Sequence, residues 1–135
     1  MSFAAKDPRE AYLAASITTA SPAQLLVMLC ERLVVDLQRA TEALRGGEPS
    51  QAHEPLLHAQ DIVLELRSSL RVDVWDGGPG LAALYDYVYG ELIRANVEKN
   101  LSTAEFCLHV SSVLRDTWRD AAIQQMSAPQ VSASA

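Results

Sequence analysis

The sequence has no surplus of positive charge, no long apolar run and almost no cysteine. Its 11 Lys and Arg are scattered among 17 Asp and Glu, for a net charge of −6. Nucleic-acid binders concentrate Lys and Arg on a phosphate-tracking face, so this balance argues against that class. The longest uninterrupted apolar run, residues 25–30, is far short of the ~20 residues that cross a bilayer. No membrane insertion is expected. The N-terminus has no basic stretch followed by a long apolar core, so no secretory signal is read there. Cys30 and Cys107 each sit inside a helical pattern. One disulfide is conceivable, but two reduced, half-buried thiols in a reducing compartment are the plainer reading. These absences point to a cytoplasmic protein. Period-two alternation is also missing over any strand-length window, and no internal repeat is visible.

What is present is a chain of 135 residues with 49% apolar side chains, enough for one domain with a real core. Asp7 and Pro8 can open a short helix carrying residues 11–15, too short to be stable alone. Ser21, Pro22 and Gln24 specify the next start three ways. Ser is a good N-cap, Pro fits the first helical position, and Gln three residues on completes a capping box. This first long helix is expected over residues 22–44, with Leu26, Leu29, Leu33, Leu37, Ala40 and Leu44 inward. Gly46-Gly47 ends it. A second spans residues 51–71, with Leu56, Ala59, Ile62, Val63, Leu66 and Leu70 inward. Pro55 leaves two alternatives, a start near Glu54 or an earlier start with a kink.

Asp76-Gly77-Gly78-Pro79-Gly80 is the strongest breaker in the chain. A third long helix, residues 81–99, carries Leu81, Leu84, Val88, Leu92 and Ala95 on one stripe. Ser102 and Glu105 form a second capping box opening a fourth. Its expected core stripe is Phe106, Val110, Val113, Thr117 and Ala121, flanked by Leu114 and Trp118. The composition after Met126 predicts a disordered tail, residues 127–135, behind one domain over residues 1–126. Four long helices with short links imply an all-α, antiparallel four-helix bundle, with an additional short N-terminal helix.

No catalytic, cofactor or metal site is read. His53 and His58 resemble a zinc-protease pair but lie five apart, roughly 140° around a helix, where one face needs four. Gly78-Pro79-Gly80 lacks a preceding strand and a Lys-Ser/Thr pair, and Asp73 and Asp76 would repel a phosphate. No serine sits in a nucleophile elbow. His109 is a lone imidazole among apolar neighbours.

Two features exceed what a plain bundle needs. Leu25, Leu26, Met28 and Leu29 spread around most of a helix at 100° per residue, so they cannot all face one core. On the third long helix Tyr85 and Tyr89 are one turn apart and align with Leu92, Ile93 and Asn96. Tyr joins a large apolar body to a polar tip, which suits a surface covered part of the time. The alternative is a central first helix covered at its back by the N-terminal segment, with the tyrosines as ordinary boundary residues.

Tyr12, then Ile17, Thr19-Ala20-Ser21-Pro22 and Leu25-Leu26 with Met28-Leu29 resemble the N-terminal signature of the FliS family of flagellar secretion chaperones. Ala59-Gln60 with Ile62 and Glu65-Leu66, Gly77-Gly78 before Leu84-Tyr85-Asp86-Tyr87, Ala95-Asn96 and Trp118 follow in the family's order. The resemblance spans roughly residues 10–120. Where the family often carries Tyr-Asp-Gly, this chain has Cys30-Glu31-Arg32. The resemblance implies a cytoplasmic export chaperone that binds the disordered C-terminal segment of flagellin, prevents premature polymerisation, and delivers the subunit to the flagellar type III export gate. It implies no enzyme activity and no cofactor. The expected partner-binding set is Tyr12, Ile17, Leu25, Leu26, Leu29, Leu33, Tyr85, Tyr89, Leu92, Ile93 and Asn96, of which the resemblance places Tyr12 and Ile17. A structural or adaptor bundle that self-associates through the same apolar surface, including a homodimer of the unloaded protein, is the alternative.

Overall fold

The computed structural model describes residues 21–73 and 76–127. Those residues form four long helices, with no strand among them: α1 (Pro22–Arg45), α2 (His53–Ser69), α3 (Gly78–Glu98) and α4 (Leu101–Ser127). The all-α bundle expected from the sequence is therefore present. The expected helix at residues 11–15 lies outside the described residues. So does the tail from residue 128 on, and α4 continues past the expected domain end at 126.

The start of α1 is built as its sequence specifies. Ser21 Oγ accepts from the Gln24 N–H at 3.2 Å, and Gln24 Oε1 accepts from the Ser21 N–H at 2.9 Å. At the other end Gly47 takes the left-handed conformation, φ 76°. That turn lets the Glu48 N–H reach the Ala43 carbonyl at 2.9 Å, satisfying an orphan acceptor of the last turn. A 3-10 turn, Pro49–Ala52, then feeds directly into α2. Pro55 falls in the first turn of α2, where a missing N–H has no carbonyl to serve, so no kink is needed.

The starts of α3 and α4 differ from the expected ones. Helix α3 begins at Gly78 rather than residue 81, with Pro79 inside its first turn. Gly78 packs against the preceding loop so closely that a Cβ there would stand 2.2 Å from the Val72 carbonyl oxygen. Helix α4 is capped by Asn100, not by a Ser102–Glu105 box. Asn100 Oδ1 accepts from the Thr103 N–H at 2.9 Å and from its hydroxyl at 3.2 Å. Lys99 turns the chain with φ 52°, so only two residues, Lys99 and Asn100, separate α3 from α4. Glu105 instead pairs with Arg45 at 2.7 Å.

Each helix packs on two neighbours, α1 on α2 and α4, α3 on α2 and α4. Paired ends establish the antiparallel order. Arg45 meets Glu105 and Arg119 meets Glu31, both at 2.7 Å, which ties the two ends of α1 to opposite ends of α4. His53 and Asn96 do the same for one end of α2 and α3, and Arg67 and Asp86 for the other. The core is filled by Cys30, Leu33, Leu37 and Ala40 of α1; Leu56, Ala59, Ile62, Val63 and Leu66 of α2; Tyr85, Val88, Leu92 and Ala95 of α3; and Ala104, Cys107 and Leu114 of α4.

The inward face of α4 corrects the expected one. Phe106 and Val113 are exposed, Thr117 and Ala121 are exposed, and Val110 is half-buried. The buried stripe is Thr103, Ala104, Cys107, Ser111 and Leu114, rotated about 100° from the expected line. In α3, likewise, Leu81 and Leu84 are half-buried, and Ala82 and Tyr85 take the interior.

Candidate functional site

Where the start of α1 passes the end of α4, the bundle leaves an open groove of about 670 Å³. Pro22, Ala23 and Leu26 line one wall, and Trp118, Ala121 and Ala122 the other. The capping box turns the polar groups of Ser21 and Gln24 back onto the backbone, so these rim hydrogen bonds are internally satisfied. The alanines of α4 are too short to fill the space beside Trp118. The cleft falls within the size range of ligand sites and is walled mainly by carbon, so it suits apolar side chains of a peptide rather than a charged group.

Trp118 is half-buried, and its indole N–H has no hydrogen-bond partner among the described residues. It lies near the hydroxyl of Tyr85, whose pKa is pushed up to about 12. Burial is the main cause, Cys30 adds to it, and the indole opposes it without closing a hydrogen bond within normal geometry. This end of the core is thus uncharged at neutral pH.

The expected partner-binding residues do not gather into one surface. Tyr12 and Ile17 lie outside the described residues. Leu26 lines the groove, while Leu25 and Leu29 are half-buried at the same end of α1. Leu33, Tyr85 and Leu92 are core residues of the bundle and present almost nothing to solvent. Tyr89 and Asn96 are half-buried and Ile93 is exposed, on the side of α3 that meets α2. Helices α1 and α3 sit diagonally in the bundle, so their outer faces are separated by the width of the domain.

Sequence reasoning missed the wall made by Ala121 and Ala122. The available signal was a helix continuing for two turns beyond Leu114 with small residues beside a Trp. It also missed Asp36, a buried carboxylate in mid-α1 that meets His58 Nδ1 of α2 and lies 3.5 Å from Arg32 Nε. His53 and His58 thus face different helices, His53 toward Asn96 and His58 toward Asp36, as their five-residue spacing requires.

Two apolar areas remain outside the groove. One follows the α3–α4 seam, with Tyr87, Phe106 and Val113 exposed. The other lies on the outside of α2 and α3, with Leu57, Leu64, Ile93 and Val97. No described helix is long and apolar enough to cross a membrane.

Comparison with known proteins gives one family. The family model described as "Flagellar protein FliS" matches residues 5–125. The flagellar secretion chaperone FliS of Bacillus subtilis (strain 168) is 28% identical over 118 residues, covering 87% of this chain and 88% of the relative. The flagellar secretion chaperone FliS of Vibrio cholerae serotype O1 is 26% identical over 105 residues, covering 76% of each.

Proposed function

Because the chain belongs to the FliS family of flagellar proteins, we propose that it is a cytoplasmic chaperone for export of flagellin. Its relatives are named as secretion chaperones, not as enzymes. The client would be the disordered C-terminal segment of flagellin, held so that subunits do not polymerise before export and then passed to the type III export gate. The observation that carries this reading is the family match over residues 5–125, nearly the whole bundle. The groove between Leu26 and Trp118 supports it with an apolar cleft of peptide scale.

The mechanism is coupled folding and binding. A disordered segment gains order as its apolar side chains enter preformed helix grooves. Ordering takes up several kcal/mol of the interaction, so a large contact area is required. Leu25, Leu26 and Leu29 would supply one end of that area, and Tyr89, Ile93 and Asn96 another. A client touching both must wrap around the bundle, because α1 and α3 are diagonal.

Residues 8–17 would cover the exposed side of α1 while no client is bound. Ile17 is four residues before Ser21, and an extended chain advances at most ~3.5 Å per residue, which keeps Ile17 within reach of the groove. Tyr12 and Ile17 would then be displaced by the client or reorganised against it.

Size-exclusion chromatography of the full chain with a synthetic flagellin C-terminal peptide tests the reading. The expected result is co-elution of chain and peptide at increased mass. Separate elution at concentrations of tens of micromolar would contradict it.

A further inference from the structure

The register of α2 against α3 is fixed at two points. The Asn96 amide meets His53 Nδ1 at 3.1 Å, and Arg67 Nε donates to Asp86 Oδ1 at 3.0 Å. Between these points Leu57 lies opposite the turn that holds Ile93, and Leu64 opposite the turn that holds Tyr89. Side chains three, four and seven apart share a helix face, so Leu57 and Leu64 form one outward line, and Gly90, Ile93 and Val97 a parallel one. Leu57 is 42% exposed, Leu64 46%, Ile93 39% and Val97 78%. Four large aliphatic side chains on adjacent lines form a patch, which scattered surface residues do not.

Gly90 is a second, separate observation. It sits in the middle of α3, where Gly costs a helix about 1 kcal/mol relative to Ala. A Cβ there would meet no heavy atom within 4 Å. Nothing in the described chain requires its missing side chain. A bare backbone between Asp86 and Ile93 is what close approach by another chain requires.

The edge of the patch is acidic. Glu54, Asp61 and Glu65 line the outer side of α2, all exposed and with no salt bridge among the described residues. The two cations of the α2–α3 pair nearest the patch are already engaged, Arg67 by Asp86 and Arg94 by Glu91 and Glu98. An occupant therefore needs an apolar stripe and its own positive charge. A second copy of this chain, at net charge −6, brings no surplus of cations.

We propose that the outer face of the α2–α3 pair is a docking site for an amphipathic helix of a partner protein, seated on Leu57, Leu64, Ile93 and the bare backbone at Gly90, with Lys or Arg along its α2 side. Leu57 to Leu64 spans about 10 Å at 1.5 Å per residue, so two to three turns of the partner suffice. Such a helix would leave the Leu26–Trp118 groove free. The site shares Ile93 with the proposed client surface of α3, but the proposal stands on the patch itself, and its test uses no flagellin.

Two synthetic helical peptides with the same Leu/Ile stripe, one flanked by Lys and one by Glu, are titrated into the full chain by fluorescence anisotropy. The Lys-flanked peptide should bind at least about tenfold more tightly at low salt, a difference of about 1.4 kcal/mol. Leu57→Ser combined with Ile93→Ser should weaken it about tenfold, and Asp61→Lys with Glu65→Lys should remove the preference for Lys. Gly90→Ala is the sharpest arm. It should raise the melting temperature of the free protein and weaken peptide binding together. Glu42→Lys, on the outside of α1, serves as the control for net charge alone and should leave the affinity within about twofold. Affinity that does not respond to Leu57, Ile93 and Gly90, or that falls equally with Glu42→Lys, would overturn the proposal.

Discussion

The ring of Phe106 stands edge-on to that of Tyr87, with 6.0 Å between centroids and 86° between planes, on the outside of the α3–α4 seam. The pair holds two aromatic rings together at the surface instead of in the core. An edge-to-face pair is worth about 0.5–1.5 kcal/mol beyond its buried area, whereas removing a core Phe costs about 3–5 kcal/mol. Phe106→Ala should therefore lower stability by only about 1 kcal/mol in urea unfolding. A loss of the core size would mean that α4 presents Phe106 inward after all.

The Asp36–His58 contact is the polar clasp between α1 and α2. Asp36 is buried, and without His58 its carboxylate keeps only Arg32, at 3.5 Å. A buried acceptor that loses its partner costs roughly 1–3 kcal/mol, so His58→Ala should destabilise by that order. Urea unfolding at constant pH measures it. An unchanged midpoint would show that the contact contributes nothing.

How much of this was legible in the sequence depends on the kind of signal. The α1 start was fully written, because Ser21, Pro22 and Gln24 act through local backbone geometry that tertiary packing does not override. The inner face of α2 was legible too, since Leu56, Ala59, Ile62, Val63 and Leu66 recur at helical spacing and are the residues it buries. The inner face of α4 was not. Phe106, Val110 and Val113 form an apolar line at helical spacing, and Cys107, Ser111 and Leu114 a smaller, mixed line one step around. Periodicity favours the bulkier line, but α4 buries the smaller one. The same ambiguity hid Tyr85, which periodicity places beside Tyr89 but packing sends into the core. The Asn100 cap was masked because Ser102 and Glu105 satisfy the capping pattern equally well. It is decided by the left-handed turn at Lys99, which no side-chain pattern announces. The groove is a void between α1 and α4, and a void has no residue of its own.

Alkaline pH should unfold the protein through its buried neutral groups. Burial is the main cause that raises the Cys30 thiol from 9.0 to about 11 and the Cys107 thiol from 9.0 to about 12. Tyr85 is raised from 10.0 to about 12, again chiefly by burial. Each folded pKa exceeds the unfolded one, so the folded state holds these protons more tightly. Their contribution is fully present below about pH 9 and is lost as pH rises toward 11–12. Both thiols should resist a disulfide reagent at pH 8 and react on unfolding in urea. Rapid native-state labelling would contradict the burial of Cys30 and Cys107.

Deleting residues 1–16 tests the proposed cover over α1. The truncated chain should self-associate more than the full chain in sedimentation, because apolar surface at Leu25, Leu26 and Leu29 would be released. Hydrogen exchange of the full chain should also show the amides around Tyr12 changing protection when flagellin peptide is added. A truncated chain that stays monomeric and binds as before, with unchanged protection at Tyr12, would refute the cover.

The measurement that bears most directly on the chaperone reading is a calorimetric titration of the full chain with the flagellin C-terminal peptide at several temperatures. Coupled folding and burial of apolar surface predict saturable binding with a clearly negative heat-capacity change. Tyr89→Ala should weaken that binding, and it should also lower the melting temperature somewhat, because Tyr89 packs against the core. Absence of saturable heat at every temperature would contradict the reading outright, and unaltered affinity in Tyr89→Ala would remove α3 from the client surface.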